Sequence, residues 1–180
     1  MPSGPQSTAG HFLLAASGSI IFVRVVGLAT MNNSFYLQEV LEDSRGRGFR
    51  QFTFDLARCG GFDSTFMGML LGLAQEMAAP SAPARSACEV VVVNADSSHR
   101  KLLAGVGVDR MVQIHPEAVQ FPEVELRRLE DRPDDPKRRI RAIISAHESL
   151  VRLGGPNREK FGTLLDGLKR EFAADAPAKT

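Results

Sequence analysis

The sequence predicts an α/β protein with a mixed β-sheet of four to five strands, packed α-helices and a helical hairpin after them. Along the first part of the 180-residue chain, strand-like and helix-like segments follow the order β-β-α-β-α-β-α-β, which favours one sheet joined by crossover helices. Cys88 to Val93 ends in four consecutive valines, as is typical of a central strand covered on both faces. Beyond Lys137, two segments carry apolar residues at helical spacing.

The first strands are predicted at His11 to Ala16 and Ser19 to Val26. Both runs are rich in Ile, Val, Phe and Leu and are separated by a Ser-Gly pair, so a β-hairpin is favoured over a helix. The first helix contains Tyr36 to Leu41, whose apolar residues recur at helical spacing. Asn33 or Ser34 can cap this helix, because short polar side chains accept hydrogen bonds from its free N–H groups.

The next strand is predicted at Gln51 to Leu56, with a turn at Cys59-Gly60-Gly61. Ser64 to Met77 is predicted to be a helix, and its apolar residues surround much of the circumference. A helix with that pattern is buried or binds a partner. The remaining elements before the hairpin are a loose loop at Ala78 to Ser86, a short helix at Ser97 to Leu103 and a last short strand at Met111 to Ile114.

The charge-dense segment Arg127 to Pro136 carries two prolines, which is typical of a linker. The two helices after it are separated by Gly154-Gly155-Pro156, and Asn157 can cap the second. We expect their apolar stripes to be buried on the sheet domain or across a homodimer, because a soluble monomer rarely exposes a large apolar patch. The predicted organisation is a flexible leader at 1–10, a sheet domain at 11–118, a linker at 119–136 and a two-helix extension at 137–175.

Bulk properties narrow the classes of function. A net charge of +1 gives no electrostatic reason to expect nucleic acid as a partner. No apolar stretch approaches the roughly 20 residues that span a bilayer, and the first ten residues have neither the basic region nor the apolar core of a signal peptide. With only Cys59 and Cys88, a disulfide framework is not expected. We therefore expect a cytoplasmic protein without membrane insertion.

The candidate functional residues begin the second predicted helix. Asp63, Ser64 and Thr65 follow a strand and a glycine-containing loop, which places a hydroxyl beside a carboxylate at a helix N-terminus. Free N–H groups and the helix dipole favour a phosphate at such a position. Ser64 can also be explained as an ordinary helix cap, and the two roles are compatible if Asp63 caps while Ser64 projects into solvent.

This unit resembles the STAS domain of bacterial anti-sigma factor antagonists, whose phosphorylated Ser lies in an Asp-Ser-Ser/Thr-Gly-Leu-Gly motif. Asp63, Ser64, Thr65 and Gly68 match the motif, Met67 replaces a similar apolar residue, and Phe66 stands where the motif has Gly. The resemblance extends over about His11 to Pro116. It includes Val25-Val26-Gly27 with Thr30 and Asn33, and Val93-Asn94 with Gly105-Val106-Gly107, Met111 and Ile114.

The resemblance implies a non-enzymatic switch protein. Its partner would be an anti-sigma factor with Ser/Thr kinase activity, and phosphorylation at Ser64, or at Thr65 as second choice, would end the binding. The implied partner-binding residues are Thr30, Asn32, Asn33, Asp63, Ser64, Thr65 and Met67. The Asn pair can equally be explained as turn and cap chemistry, and Met67 and Met69 as core residues at helical spacing.

No enzymatic site, metal site or cofactor is predicted. The four histidines show no ligand spacing, no Walker-type loop is present, and no motif links a base to Ser64. The main alternative is a STAS scaffold, in a stressosome-like assembly or a transporter complex, in which Ser64 is only a cap. A small-molecule or nucleotide binder of the same fold is a third, weaker possibility.

Overall fold

A six-stranded mixed sheet forms the centre of the computed structural model, which describes residues 10–78, 89–130 and 135–174. The strands are β1 (His11–Ser17), β2 (Ile20–Ala29), β3 (Gln51–Phe62), β4 (Glu89–Val93), β5 (Gln113–Ile114) and β6 (Arg127–Arg128). Their order across the sheet is β5-β4-β3-β2-β1-β6. β1 is antiparallel to β2 and β6, and the other pairs are parallel.

Five α-helices accompany the sheet: α1 (Ser34–Gly46), α2 (Ser64–Met77), α3 (Ser97–Gly105), α4 (Pro136–Arg152) and α5 (Pro156–Ala174). The element order up to β5 is the predicted one, so the α/β fold class with a mixed sheet and packed helices is confirmed. The addition is β6, two residues within the segment predicted as a linker, which pair with Leu13 and Leu14 of β1. The predicted leader, except Gly10, and most of the predicted loop Ala78 to Ser86 lie outside the described residues.

The valine run lies on a central strand, as predicted. β4 is hydrogen-bonded to β3 on one side and to β5 on the other. Val90 and Val92 belong to the main core, while Val91 and Val93 are buried on the opposite face. Cys88, the first residue of the predicted strand, lies outside the described residues.

The turn predicted at Cys59-Gly60-Gly61 is wrong, because β3 continues through it to Phe62. Cys59 pairs with Gly27 and Gly61 pairs with Leu28, which leaves Gly60 as an extra residue in an irregular part of the ladder. Gly27 and Gly61 adopt φ angles of 72° and 150°, a region that glycine enters without steric cost. Glycines that suggested a turn therefore form a bulge in a long strand.

A partly buried ion pair lies on the sheet face opposite the main core. Asp55, which is 1% exposed, accepts a hydrogen bond from Arg24 Nε at 2.7 Å through Oδ2. Its Oδ1 accepts from Asn94 Nδ2 at 2.8 Å and from the Ala57 N–H at 3.1 Å. The Arg24 guanidinium lies 4.7 Å from the ring centroid of Phe121. The carboxylate thus has several partners, as a buried charge requires.

The helical hairpin, defined as α4 and α5 with their connecting turn, packs against α2. The two helices approach so closely at Gly68 that an added Cβ would lie 2.2 Å from the Ala146 carbonyl oxygen. At Gly72 an added Cβ would lie 2.7 Å from Ser149 Oγ. Of the two expected arrangements, the structure therefore shows packing on the sheet domain.

Asn157 does not cap α5, so that prediction is wrong. α5 begins at Pro156, and the Asn157 side chain points back to the rest of the protein. Its Nδ2 donates to the carbonyl oxygens of Leu150 at 3.0 Å and Val106 at 2.9 Å. Because Val106 follows α3, this amide ties the turn of the hairpin to the sheet domain.

Truncation after Asp131 is expected to lower solubility or change the oligomeric mass. Removing the hairpin uncovers the face of α2 around Met69 and Leu73, which is buried in the full chain, and large exposed apolar patches drive association. Light scattering on the truncated and full-length proteins measures both effects. Unchanged solubility and mass would contradict a stabilising role for the hairpin.

Candidate functional site

Asp63 caps α2 and so leaves the Ser64 hydroxyl free of that role. Asp63 Oδ1 accepts hydrogen bonds from the backbone N–H groups of Thr65 at 2.9 Å and Phe66 at 3.1 Å. These are two of the N–H groups that a helix start leaves without intrahelical partners. Of the two residues that the sequence allows as the cap, Asp63 and Ser64, the structure shows Asp63.

The second carboxylate oxygen joins α2 to the turn after β2. Asp63 Oδ2 accepts from the Met31 N–H at 2.8 Å. Thr30 and Asn32, on either side of Met31, are themselves linked by a 3.4 Å bond from the Asn32 N–H to Thr30 Oγ1. The structure therefore brings the turn residues predicted to border the site next to Asp63 and Ser64.

Asn33 holds this turn rather than capping α1, so the predicted cap is wrong. Asn33 occupies the N-cap position but makes no side-chain cap hydrogen bond. Its Oδ1 accepts from the Thr30 N–H at 2.8 Å, and its Nδ2 donates to the carbonyl oxygens of Leu28 at 2.8 Å and Gly10 at 3.0 Å. The side chain thereby bonds three backbone groups and joins the end of β2 to the residue before β1.

Ser64 does not project freely into solvent, contrary to the expectation from sequence. Its Oγ lies 3.1 Å from Nε2 of His147, on α4. His147 Nδ1 lies 2.8 Å from the Ile143 carbonyl oxygen, which can only accept, so Nδ1 carries the hydrogen. In the neutral ring Nε2 is then an acceptor, and the Ser64 hydroxyl donates to it.

Sequence reasoning missed His147 as a site residue. The two residues are 83 positions apart, and no motif links them. A weak signal was present, since His147 lies on the stripe formed by Ile140, Ile143, Ile144, Leu150 and Val151. A histidine on an apolar stripe needs a polar partner once it is buried, and His147 is 2% exposed.

The serine–histidine pair has the first contact of a nucleophilic site but lacks the surroundings of one. The group behind the imidazole is a neutral carbonyl oxygen rather than a carboxylate. The N–H groups of Thr65 and Phe66 already bond Asp63, so they cannot stabilise an oxyanion. The geometry favours a positioned hydroxyl over an activated one.

The residue that departs from the family motif lies in the core. Phe66 is fully buried and packs against Phe12, Phe54 and Phe62, with ring centroids 6.4, 6.3 and 5.5 Å away. A bulky residue at this position therefore fills the interior and does not alter the surface around Ser64. Aromatic pairs at these separations are stabilising.

Two of the predicted site residues are buried. Thr65 and Met67 are 3% and 7% exposed, and Met67 belongs to the main hydrophobic core. In this arrangement Met67 offers no surface to a partner, which corrects its place among the docking residues. The exposed apolar side chains near the site are instead Leu28 and Met31, at 43% and 46%, and no sequence pattern distinguishes them.

Two further searches of the described residues bear on alternatives. Within residues 10–78, 89–130 and 135–174, there is no group of three or more His, Cys, Asp or Glu side chains that could hold a metal ion. In the same ranges no helix combines the length and apolar character needed to cross a membrane.

Solved structures of anti-sigma factor antagonists are similar to this chain. SpoIIAA in its unphosphorylated form has a TM-score of 0.48 and 15% identity, over 59% of this chain and 89% of that one. An anti-sigma factor antagonist from Mycobacterium paratuberculosis has a TM-score of 0.47 and 14% identity, over 62% of this chain and 90% of that one. Phosphorylated SpoIIAA, a Bacillus cell fate determinant, has a TM-score of 0.46 and 17% identity, over 59% of this chain and 92% of that one. No protein-family model matches the chain, and no curated sequence is significantly similar.

Proposed function

We propose that this protein is an anti-sigma factor antagonist that acts in the cytoplasm by binding rather than by catalysis. Its partner is an anti-sigma factor with Ser/Thr kinase activity, and phosphorylation of Ser64 ends the complex. The observation that carries the proposal is the placement of Ser64: a hydroxyl without a capping role, directly after Asp63, at the start of α2. The motif residues around it support the same role.

The proposed docking surface is the edge formed by the turn at Thr30 to Asn33 and the start of α2. Asp63 joins these two segments through Met31. Leu28 and Met31 add exposed apolar area beside the polar residues, and a docking surface gains most of its energy from such side chains once they are buried.

Phosphorylation would change the charge of this surface. A phosphoserine adds about −1.5 to −2 charges at neutral pH, next to the carboxylate of Asp63. A partner fitted to a neutral hydroxyl would meet two adjacent anions, and like charges across an interface are costly. The switch is thus a local change of charge that is read out as lost binding.

Ser64→Asp is expected to weaken partner binding by at least about tenfold, while Ser64→Ala keeps it. The partner is first captured from native lysate with the wild-type protein and identified, and intact mass reports any phosphate. Dissociation constants are then measured for each variant. Ser64→Ala is expected to lose about 1 kcal/mol of stability, because the buried His147 Nε2 loses its donor.

Ser97→Asp is the matched control, because Ser97 follows the capping Asp96 of α3 as Ser64 follows Asp63. It introduces the same charge in the same local geometry outside the proposed surface, so binding should be unchanged. Equal affinity of Ser64→Asp and wild type, with no phosphate acquired from the captured partner, would overturn the switch and favour the scaffold alternative.

A further inference from the structure

The Ser64 hydroxyl is held by the helical hairpin. His147 Nε2 is 3.1 Å from Ser64 Oγ, so the two atoms are in direct hydrogen-bond contact. We propose that the hairpin is an intramolecular cover: it must leave the start of α2 before Ser64 is phosphorylated, and a phosphate on Ser64 keeps it away. This inference rests on the proposed function only in taking Ser64 as the modified residue.

A phosphoryl group does not fit in the closed arrangement. It would place phosphorus and three oxygens where the hydroxyl hydrogen now points at His147. Phosphate oxygens are acceptors, and Nε2 of the neutral ring is also an acceptor, so the existing bond would become a contact between lone pairs. With a neutral imidazole and Ser64 in its present rotamer, phosphorylation therefore opposes the closed hairpin.

The imidazole cannot turn aside within the closed structure. Its Nδ1 donates to the Ile143 carbonyl oxygen at 2.8 Å. The ring also makes a T-shaped contact with the ring of Phe161 on α5, with centroids 5.6 Å apart. The ring is held from both sides and almost completely buried, so space at Ser64 requires that α4 itself moves.

The contact between α2 and α4 allows lifting but not sliding. At Gly68 the backbones nearly touch, since an added Cβ would be 2.9 Å or less from three backbone atoms of Ala146. One turn later Gly72 faces Ser149. A side chain that slid past this point would collide with backbone atoms, so we expect α4 to move away from α2 as a rigid body. α5 would move with it, because Lys169 of α5 forms an ion pair with Glu148 of α4 at 2.6 Å.

A kinase needs the acceptor hydroxyl in line with the transferred phosphoryl group. With Ser64 Oγ bonded to a buried imidazole, that approach is blocked on the side of α4. The closed hairpin thus protects Ser64 from phosphorylation, and the kinase acts on the protein with the hairpin open. A ligand or variant that shifts the equilibrium between the closed and open hairpin changes the phosphorylation rate in proportion to the fraction of open molecules.

The direct test is hydrogen–deuterium exchange of the full chain with phosphoserine encoded at position 64. Amides of α4 from Ile143 to Leu150 are expected to exchange about tenfold faster or more than in the unmodified protein, while β3 and β4 are unchanged. Phosphoserine at position 97 is the control and should leave α4 protected. Unchanged protection of α4 with phosphoserine 64 would overturn the proposal.

A disulfide provides a second measurement. An ideal Cβ at position 72 is 3.5 Å from Ser149 Cβ, at the short end of the range that disulfides adopt. In a background with Cys59→Ser and Cys88→Ser, the pair Gly72→Cys and Ser149→Cys should cross-link when oxidised. Phosphoserine 64 should slow this reaction by roughly tenfold, because α4 spends less time on α2.

The cross-linking rate is read by mass after alkylation of the remaining thiols. Equal rates with serine and phosphoserine would contradict the inference. Neither measurement uses a kinase or an anti-sigma factor, so the cover and the proposed function can fail separately. If the double-cysteine variant does not fold, hydrogen exchange of the chain without new cysteines still decides the question.

Discussion

Gly68→Ala is expected to lower the free energy of unfolding by about 2 kcal/mol, because overpacking costs about 1–3 kcal/mol and the gain in helix propensity returns about 1 kcal/mol at most. The cost falls at the upper end of that range, since the new methyl group meets the Ala146 carbonyl oxygen at 2.2 Å. Backbone cannot rotate away as a flexible side chain can. The melting temperature should fall by about 4–8 °C.

Gly162→Ala is the matched control for this variant. Gly162 is also inside a helix, but an added Cβ would have no atom within 4 Å. Only the propensity term remains, so the variant should be as stable as wild type or more stable by up to about 1 kcal/mol. Thermal denaturation of both variants measures the contrast. Equal melting temperatures for Gly68→Ala and Gly162→Ala would show that α4 does not pack on α2 as described.

Arg24→Met is expected to destabilise the protein by about 3 kcal/mol, because breaking a buried ion pair leaves an uncompensated charge. Asp55 would keep its bonds from Asn94 and Ala57 but lose its charged partner. Methionine retains an unbranched apolar side chain, so the loss reports the charge and its contact with the Phe121 ring more than lost volume. A fall of roughly 6–12 °C in melting temperature is expected.

Arg47→Met is the control for an exposed pair. Arg47 lies 3.7 Å from Asp43, and the two side chains are 70% and 69% exposed. Such pairs contribute about 0–1 kcal/mol, so this variant should melt close to wild type. Adding Asp55→Asn to Arg24→Met should recover part of the lost stability, because the unpaired charge is removed. A result in which Arg24→Met and Arg47→Met cost the same would contradict a role for the buried pair.

The sequence patterns that predicted the structure correctly are those that depend only on residues close to one another in the chain. The valines of β4 predicted a strand covered on both faces, because pleated backbone places neighbouring residues on opposite faces. Asp63 predicted a cap because a short carboxylate reaches N–H groups two and three residues ahead. Neither inference needs to know what the rest of the chain does.

Predictions from local patterns were wrong where the same residues are compatible with two different structures. Gly60 and Gly61 fit a turn and a bulge equally well, and the pairing of β3 with β2, which lies earlier in the chain, selects the bulge. Asn33 and Asn157 fit caps by position. Their amides instead bond backbone groups that the fold brings near, at Gly10 and Val106. A polar side chain takes the buried partner that would otherwise stay unsatisfied.

The sequence by itself determined the element order, the central strand and the capped start of α2 with Ser64 beside Asp63, since contacts between near neighbours in the chain are enough to specify them. Only the tertiary structure decided where the helical hairpin lies. Its apolar stripes could be buried on any complementary surface, because the hydrophobic effect has no direction. The close approach at Gly68 and the bond from Ser64 to His147, 83 residues apart, select one surface. For this reason the hydroxyl that was expected to project into solvent is hydrogen-bonded to α4.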